Sequence, residues 1–163
     1  LPNLLSLGFK FDLNGFVGEL VDERICVSKR YYTGVFSSAD GSEKSLSLVR
    51  GQQKFFSTIQ KDGFVIKRGR IMPTGSGIYK EKGTDVKIAI DLVIGAVDDQ
   101  YDTAILVSSD TDLIPAIQYL KYRKKKLEYV GFAHKPSLGI QKYATLSRLL
   151  LPKEVERYIE KNS

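Results

Sequence analysis

The alternation of helical and strand patterns along the chain constrains its fold more than any other feature. Apolar residues at helical spacing predict helices over residues 11–24, 44–62, 84–97 and 111–125. Runs of β-branched and aromatic residues predict strands over residues 24–36, 63–72, 103–109 and 126–132. Strands that alternate with helices form a mostly parallel sheet with helices on both faces, because parallel strands need a crossover connection. We therefore expect an α/β fold, with residues 1–163 forming a single domain.

Two acidic residues, Asp110 and Asp112, follow the apolar run Ala104 to Val107. Such a run is typical of a central strand that is buried on both faces. In an open α/β sheet, the functional site lies beyond the carboxyl ends of the strands. Asp residues at such an end either cap the following helix or bind a metal ion, and the spacing alone favours neither interpretation.

A further acid, Asp85, begins the predicted helix at 84–97, directly after a glycine-rich segment. Hard divalent ions such as Mg²⁺ and Mn²⁺ take oxygen ligands and need only a few carboxylates. The residues therefore predict a metal site formed by Asp85, Asp110 and Asp112. Asp91 is a weaker candidate, because six helical residues turn it about 120° away from Asp85. It would either support the site from outside or pair with a nearby cation.

Basic residues surround the same part of the chain, and the net charge of +6 makes a polyanionic partner plausible. The segment 73–83 contains three glycines and is predicted to be a flexible loop that borders the metal site. Residues in and before this loop are candidates for binding a nucleic-acid backbone: Lys67, Arg68, Arg70, Lys80 and Lys82. The basic run 121–126 suits the C-terminal end of a helix equally well.

The segment 82–132 resembles the NYN domain, and in particular the LabA-like branch of the PIN-like nucleases. The family pattern places Lys-x-x-Asp-Val at the start of a helix, a later Asp in that helix, and Ser-x-Asp-x-Asp after a strand. This chain has matching residues at Lys82, Asp85, Asp91, Ser108, Asp110 and Asp112.

The resemblance implies a three-layer PIN-like fold and an endoribonuclease that hydrolyses RNA phosphodiester bonds with Mg²⁺ or Mn²⁺. It also places Lys82 and Ser108 among the residues that bind the substrate. The alternatives are a non-catalytic RNA- or protein-binding module on the same fold, and a different phosphohydrolase that uses acidic residues.

The start of the chain departs from the family pattern. Members of the family open with a strand that carries Asp and lies in the middle of the sheet, whereas nothing before Asp12 resembles a strand. We therefore expect this chain to lack the first central strand, by truncation or by loss, and its sheet to have a gap.

The remaining features concern the cellular compartment, membrane association and oligomeric state of the protein. The single cysteine, Cys26, excludes an internal disulfide bond and fits a reducing compartment, which favours the cytoplasm; its predicted strand places it in the core. No apolar run reaches 18 residues, so we expect neither a membrane span nor a membrane partner. His134, the only histidine, has no Ser or Cys at a recognisable catalytic spacing. The sequence is also compatible with a homo-oligomer.

Overall fold

The computed structural model describes residues 10–36, 41–73 and 79–160. Its helices are α1 (Leu13–Val21), α2 (Glu43–Lys61), α3 (Thr84–Val97), α4 (Ile114–Tyr122, preceded by a 3-10 turn at Thr111–Leu113), α5 (Leu138–Tyr143) and α6 (Pro152–Glu156). Its strands are β1 (Lys10–Phe11), β2 (Lys29–Val35), β3 (Phe64–Pro73), β4 (Tyr79–Lys82), β5 (Thr103–Val107), β6 (Lys126–Phe132), β7 (Leu146–Leu150) and β8 (Ile159–Glu160).

Parallel strands flanked by helices confirm the predicted α/β class, consistent with a PIN-like fold. The strands β5, β6 and β7 form one parallel sheet in that order. A second sheet has β2 parallel to β3, with β4 antiparallel to β3 on its far side. Within the described residues, one edge of β2 and one edge of β5 have no partner strand. The described strands therefore form two separate sheets. The prediction that the first central strand is absent concerns residues 1–9, which lie outside the described part of the chain, and it stays a prediction.

Two hydrophobic clusters cover opposite faces of the β5–β7 sheet. Side chains alternate between the faces of a strand, so Leu127 and Tyr129 of β6 face one cluster and Val130 faces the other. The first cluster is closed by residues of α3, α4 and α5. The second contains residues of α1 and also Phe64 of β3. This shared core joins the two sheets, although no hydrogen-bonded strand pair links them among the described residues.

The strand β5 is less buried than its sequence predicts. Of the apolar run Ala104 to Val107, only Leu106 is fully buried, and its neighbours are half-buried. Both faces of β5 are covered as predicted, because Ala104 and Leu106 pack against the first cluster and Ile105 and Val107 pack against the second. Its burial is incomplete because, among the described strands, β5 has a neighbour on one side only.

The strand predicted to begin at residue 24 begins at Lys29 instead. Lys29 pairs with Phe64, the first residue of β3, so the partner strand sets the starting point of β2. The preceding residues form an exposed connection, in which Arg24 binds Glu128 through two hydrogen bonds of 2.6 and 3.0 Å. Cys26 lies in this connection and is exposed, so the prediction that it belongs to the core was wrong.

Several short strands have no local signal. The predicted loop 73–83 contains β4, whose residues Tyr79–Lys82 pair with β3; residues 74–78 lie outside the described part of the chain. The two-residue strand β1 pairs with β8 near the other end of the chain, and it is therefore not the central strand of the family pattern.

The four long helices follow the predicted pattern. Asp12 caps α1 by accepting a hydrogen bond from the backbone N–H of Gly15 at 2.8 Å, as the sequence predicts. Among the helices of the described residues, none has the length and apolar character that crossing a membrane requires.

Candidate active site

Three carboxylates converge where β4 and β5 each lead into a helix. Asp85 lies in the first turn of α3, and Asp110 and Asp112 lie at the 3-10 turn before α4. Each offers one carboxylate oxygen, and these oxygens lie within 4.8 Å of one another. Asp85 is half-buried, whereas Asp110 and Asp112 are exposed. The structure thus brings together the three residues that the sequence singled out.

Local hydrogen bonds shape the turn that carries two of these acids. The hydroxyl of Ser108 accepts a hydrogen bond from the backbone N–H of Asp110 at 3.2 Å. One carboxylate oxygen of Asp110 in turn accepts from the backbone N–H of Asp112 at 2.9 Å. Asp110 therefore caps the turn and also belongs to the acidic cluster, so the two interpretations of its position are compatible.

The backbone conformation of Gly83 helps to set the position of Asp85 in the cluster. Gly83 precedes α3 with a φ of 83°, in the left-handed region that glycine adopts without steric cost. This conformation lets the chain turn sharply from β4 into α3, and Gly83 occupies the N-cap position of the helix. A residue with a Cβ atom at position 83 would strain the turn that sets the place of Asp85.

The donor set fits a hard divalent cation. Mg²⁺ binds oxygen at about 2.1 Å, so two ligands on opposite sides of the ion are separated by about 4.2 Å. The three carboxylate oxygens are separated by at most 4.8 Å, and small rotations of the exposed Asp110 and Asp112 side chains close the difference. Exposure also leaves room for water and substrate, as a catalytic metal site requires.

Asp91 lies outside this cluster and pairs with cations of the neighbouring sheet. Its carboxylate accepts a hydrogen bond from the hydroxyl of Tyr32 at 2.9 Å, and it lies 3.1 Å from Nζ of Lys67 and 3.5 Å from Nη1 of Arg30. Its side chain is only 17% exposed. Burial, with the adjacent Asp91 carboxylate, raises the pKa of the Tyr32 hydroxyl. Asp91 is therefore the partner of nearby cations, and Lys67, predicted to bind RNA, directs its charge to Asp91.

Two basic residues lie beside the acids. Arg70 and Lys82 are directly opposite each other on β3 and β4, and both are exposed. Lys82 precedes Asp85 by only three residues, so the end of this strand pair borders the cluster. These positions can hold a phosphate backbone close to a metal ion.

The other predicted contacts differ in their environment. Arg68 is exposed, and its guanidinium lies 5.6 Å from the ring centre of Phe56. The backbone of Lys80 pairs with Met72 in the β3–β4 ladder, and the side chain of Lys80 lies outside the described part of the structure.

The basic run 121–126 lies at the opposite edge of the sheet. The helix α4 starts next to the acids and runs back past β5, so its last residues reach the other end of that strand. Lys126 pairs with Thr103, the first residue of β5, and Lys125 binds Asp99. This run is therefore remote from the acidic cluster.

A loop that the sequence did not single out lies on the acidic edge. The segment 133–137 follows β6, which is the parallel neighbour of β5, and it exposes His134 and Lys135. Tyr129 anchors the loop, because its buried hydroxyl accepts a hydrogen bond from the backbone N–H of Ser137 at 2.9 Å. The sequence contained one signal for this loop, which is its position directly after the predicted parallel strand β6.

Comparisons with known proteins agree with this architecture. The family profile described as NYN domain matches residues 2–145. A solved structure of a protein of unknown function from Vibrio parahaemolyticus is similar in fold, with a TM-score of 0.64 and 23% sequence identity over 91% of this chain and 84% of that chain. None of the curated proteins compared with the sequence matches it significantly. Because the family profile spans most of the chain and includes all three clustered acids, the chain belongs to the NYN domain family.

Proposed function

We propose that this NYN domain is a metal-dependent endoribonuclease of the PIN-like, LabA-like type. The observation that carries the proposal is the convergence of Asp85, Asp110 and Asp112 within 4.8 Å in a chain of this family. Like charges at such distances repel each other unless a cation or protons offset them, so an exposed cluster of this kind favours a metal-binding role. The sequence resemblance implies RNA as the substrate.

In this proposal, some residues of the chain bind the metal ion and others bind the RNA backbone. Asp85, Asp110 and Asp112 hold Mg²⁺ or Mn²⁺, which would polarise a phosphoryl oxygen and make a bound water more acidic. Arg70 and Lys82 hold the neighbouring phosphates of the strand. The oxygen of water forms a new bond to phosphorus, the bond between phosphorus and the leaving sugar oxygen breaks, and that oxygen takes up a proton. We also propose that Ser108 acts mainly through the turn that it orders.

One observation favours a second candidate function. Among the described strands, β2 and β5 each have one edge without a partner, and the family pattern has a strand with a further acid between such edges. With three acids only, the fold would serve as a non-catalytic module that binds RNA or protein. We further propose a cytoplasmic location, because the exposed thiol of Cys26 stays reduced there.

Cleavage of a fluorescently labelled single-stranded RNA in Mn²⁺ tests the proposal. We expect Asp110→Asn and Asp112→Asn each to lower the cleavage rate at least about 100-fold, because each removes a charged ligand. The fold should be retained, since the amide oxygen introduced at position 110 still accepts the N–H bond from residue 112. Glu156→Gln, an exposed acid on α6, is the matched control and should cleave like the wild type.

The outcomes separate the candidates. Chelator-sensitive cleavage that survives both substitutions would show that the metal site lies elsewhere. RNA binding without any cleavage by the wild-type chain would favour the binding module. Loss of the far-UV circular dichroism signal in either variant would instead indicate a purely structural role for these acids.

A further inference from the structure

The outward face of α3 is apolar and exposed. Val86, Ile90, Ile94 and Val97 are 55%, 50%, 48% and 45% exposed, although they are all branched aliphatic residues. At 100° per residue they fall within an arc of about 80°, which we call the α3 stripe. The opposite face of the helix packs into the core through residues such as Leu92 and Ala96. A helix that is apolar on both sides is typical of one that a partner covers.

The spacing of the α3 stripe is self-complementary. If two copies of α3 pair antiparallel about a two-fold axis, Val86 of one copy faces Val97 of the other, and Ile90 faces Ile94. Each contact then occurs twice, as in every isologous interface. This pairing covers all four exposed side chains of each copy. A partner of different sequence would need its own matching stripe, whereas a second copy of this chain already carries one.

The charges beside the stripe favour the same arrangement. Lys87 lies near the start of α3 and Asp98 directly after its end, and helical rotation places both on one flank of the stripe, about 20° apart. The ammonium group of Lys87 donates one hydrogen bond to the backbone carbonyl of Arg68, which carries no formal charge to neutralise it, and its other N–H groups are available to a second copy. Antiparallel pairing brings Lys87 towards Asp98 of the second copy at both ends, whereas parallel pairing places the two flanks on opposite sides of the interface and forms no such pair. Because each chain has a net charge of +6, such attraction is needed to offset repulsion between the copies.

We propose that the α3 stripe binds a second copy of this chain in an antiparallel, two-fold symmetric dimer. One helix face buries less than the roughly 800 Å² per partner of a standard interface, so we expect weak association, with a dissociation constant on the order of 100 µM. In this dimer the acidic clusters lie at the two remote ends of the paired helices, about 20 Å apart along their axes, and both stay open.

Sedimentation velocity from about 5 to about 500 µM protein, at low salt and with EDTA, tests the dimer. The sedimentation coefficient of the wild type should rise with concentration, and Ile90→Lys and Ile94→Lys should each remain monomeric. Both sites are half-exposed and Lys is a good helix former, so the variants should fold. Leu138→Lys on α5, where Leu138 is 75% exposed, is the matched control and should associate like the wild type.

A charge exchange tests the orientation. Lys87→Asp alone should weaken association at least about fivefold, and the double variant Lys87→Asp with Asp98→Lys should restore it. A wild-type chain that stays monomeric up to about 500 µM overturns the proposal, as does a dimer that survives Ile90→Lys. A double variant that associates no better than Lys87→Asp overturns the antiparallel arrangement. None of these outcomes depends on nuclease activity.

Discussion

Asp91 is an acidic residue that stabilises the fold and lies outside the acidic cluster. Its carboxylate contacts Tyr32, Lys67 and Arg30, which come from two neighbouring strands, and it is only 17% exposed. The half-buried environment strengthens these interactions, because fewer water molecules compete for the same groups. Asp91 thereby joins α3 to the β2–β3 sheet.

We expect Asp91→Ala to lower the free energy of unfolding by about 2–3 kcal/mol, because it leaves two cations without a counter-charge and the half-buried hydroxyl of Tyr32 without an acceptor. Urea unfolding followed by circular dichroism measures the change. Asp98→Ala, at an exposed position just after the same helix, should change stability by less than about 0.5 kcal/mol. Unchanged stability of the Asp91 variant together with lost metal binding would instead make Asp91 a metal ligand.

At the scale of elements, the two ends of the sheet differ in their basic residues. Arg70 and Lys82 border the acids, whereas Lys121 and Lys126 lie at the opposite edge. In the proposed nuclease, we expect Arg70→Glu with Lys82→Glu to weaken RNA binding by at least about tenfold at low salt, because both lose a phosphate contact and add repulsion. Fluorescence anisotropy of a labelled RNA, in Ca²⁺ to prevent cleavage, measures this effect.

The matched control carries the same change of charge at the other edge. Lys121→Glu with Lys126→Glu should leave RNA affinity within about threefold of the wild type, since only long-range electrostatics change. Equal losses for the two double variants would show that RNA responds to overall charge and not to the acidic edge.

The edge position of β5 predicts its dynamics. β6 pairs with a strand on each side, whereas β5 pairs only with β6 among the described strands. We expect the backbone amides of β6 to exchange with deuterium at least about tenfold more slowly than those of β5, although β5 has the more continuous apolar sequence. Exchange measured by NMR at neutral pH tests this order. Equal protection of the two strands would show that another segment covers the β5 edge.

At the scale of the whole molecule, the acidic cluster should couple metal binding to stability. A ligand present at ten times its dissociation constant adds about 1.4 kcal/mol to the folded state, which raises Tm by about 3–5 °C for a domain of this size. We expect this rise on adding Mn²⁺ to the wild type, and little or no rise for Asp110→Asn. Differential scanning calorimetry provides the measurement. An equal rise in both proteins would place the bound ion outside the cluster.

The sequence alone was sufficient for the class of fold and for the three clustered acids. Hydrophobic periodicity is a local property, and it predicts the four long helices and the strands between them. Once strands and helices alternate, Asp110 and Asp112 are expected at the carboxyl edge of the parallel strand that precedes them. Asp85 follows β4, which runs antiparallel to β3 and was predicted as a loop, so its position beside the other two acids also depends on that strand pairing.

Other features were decided only by tertiary contacts. β4 and β1 become strands because distant segments pair with them, and β2 begins at Lys29 because β3 begins at Phe64. Asp91 has its role from cations on two strands far away in the chain. The described strands β2–β4 and β5–β7 form two separate sheets, and this division likewise depends on which strand edges pair with each other. Each outcome depends on a partner outside any local window, and hydrogen bonds and ion pairs are stabilising only where folding brings both partners together.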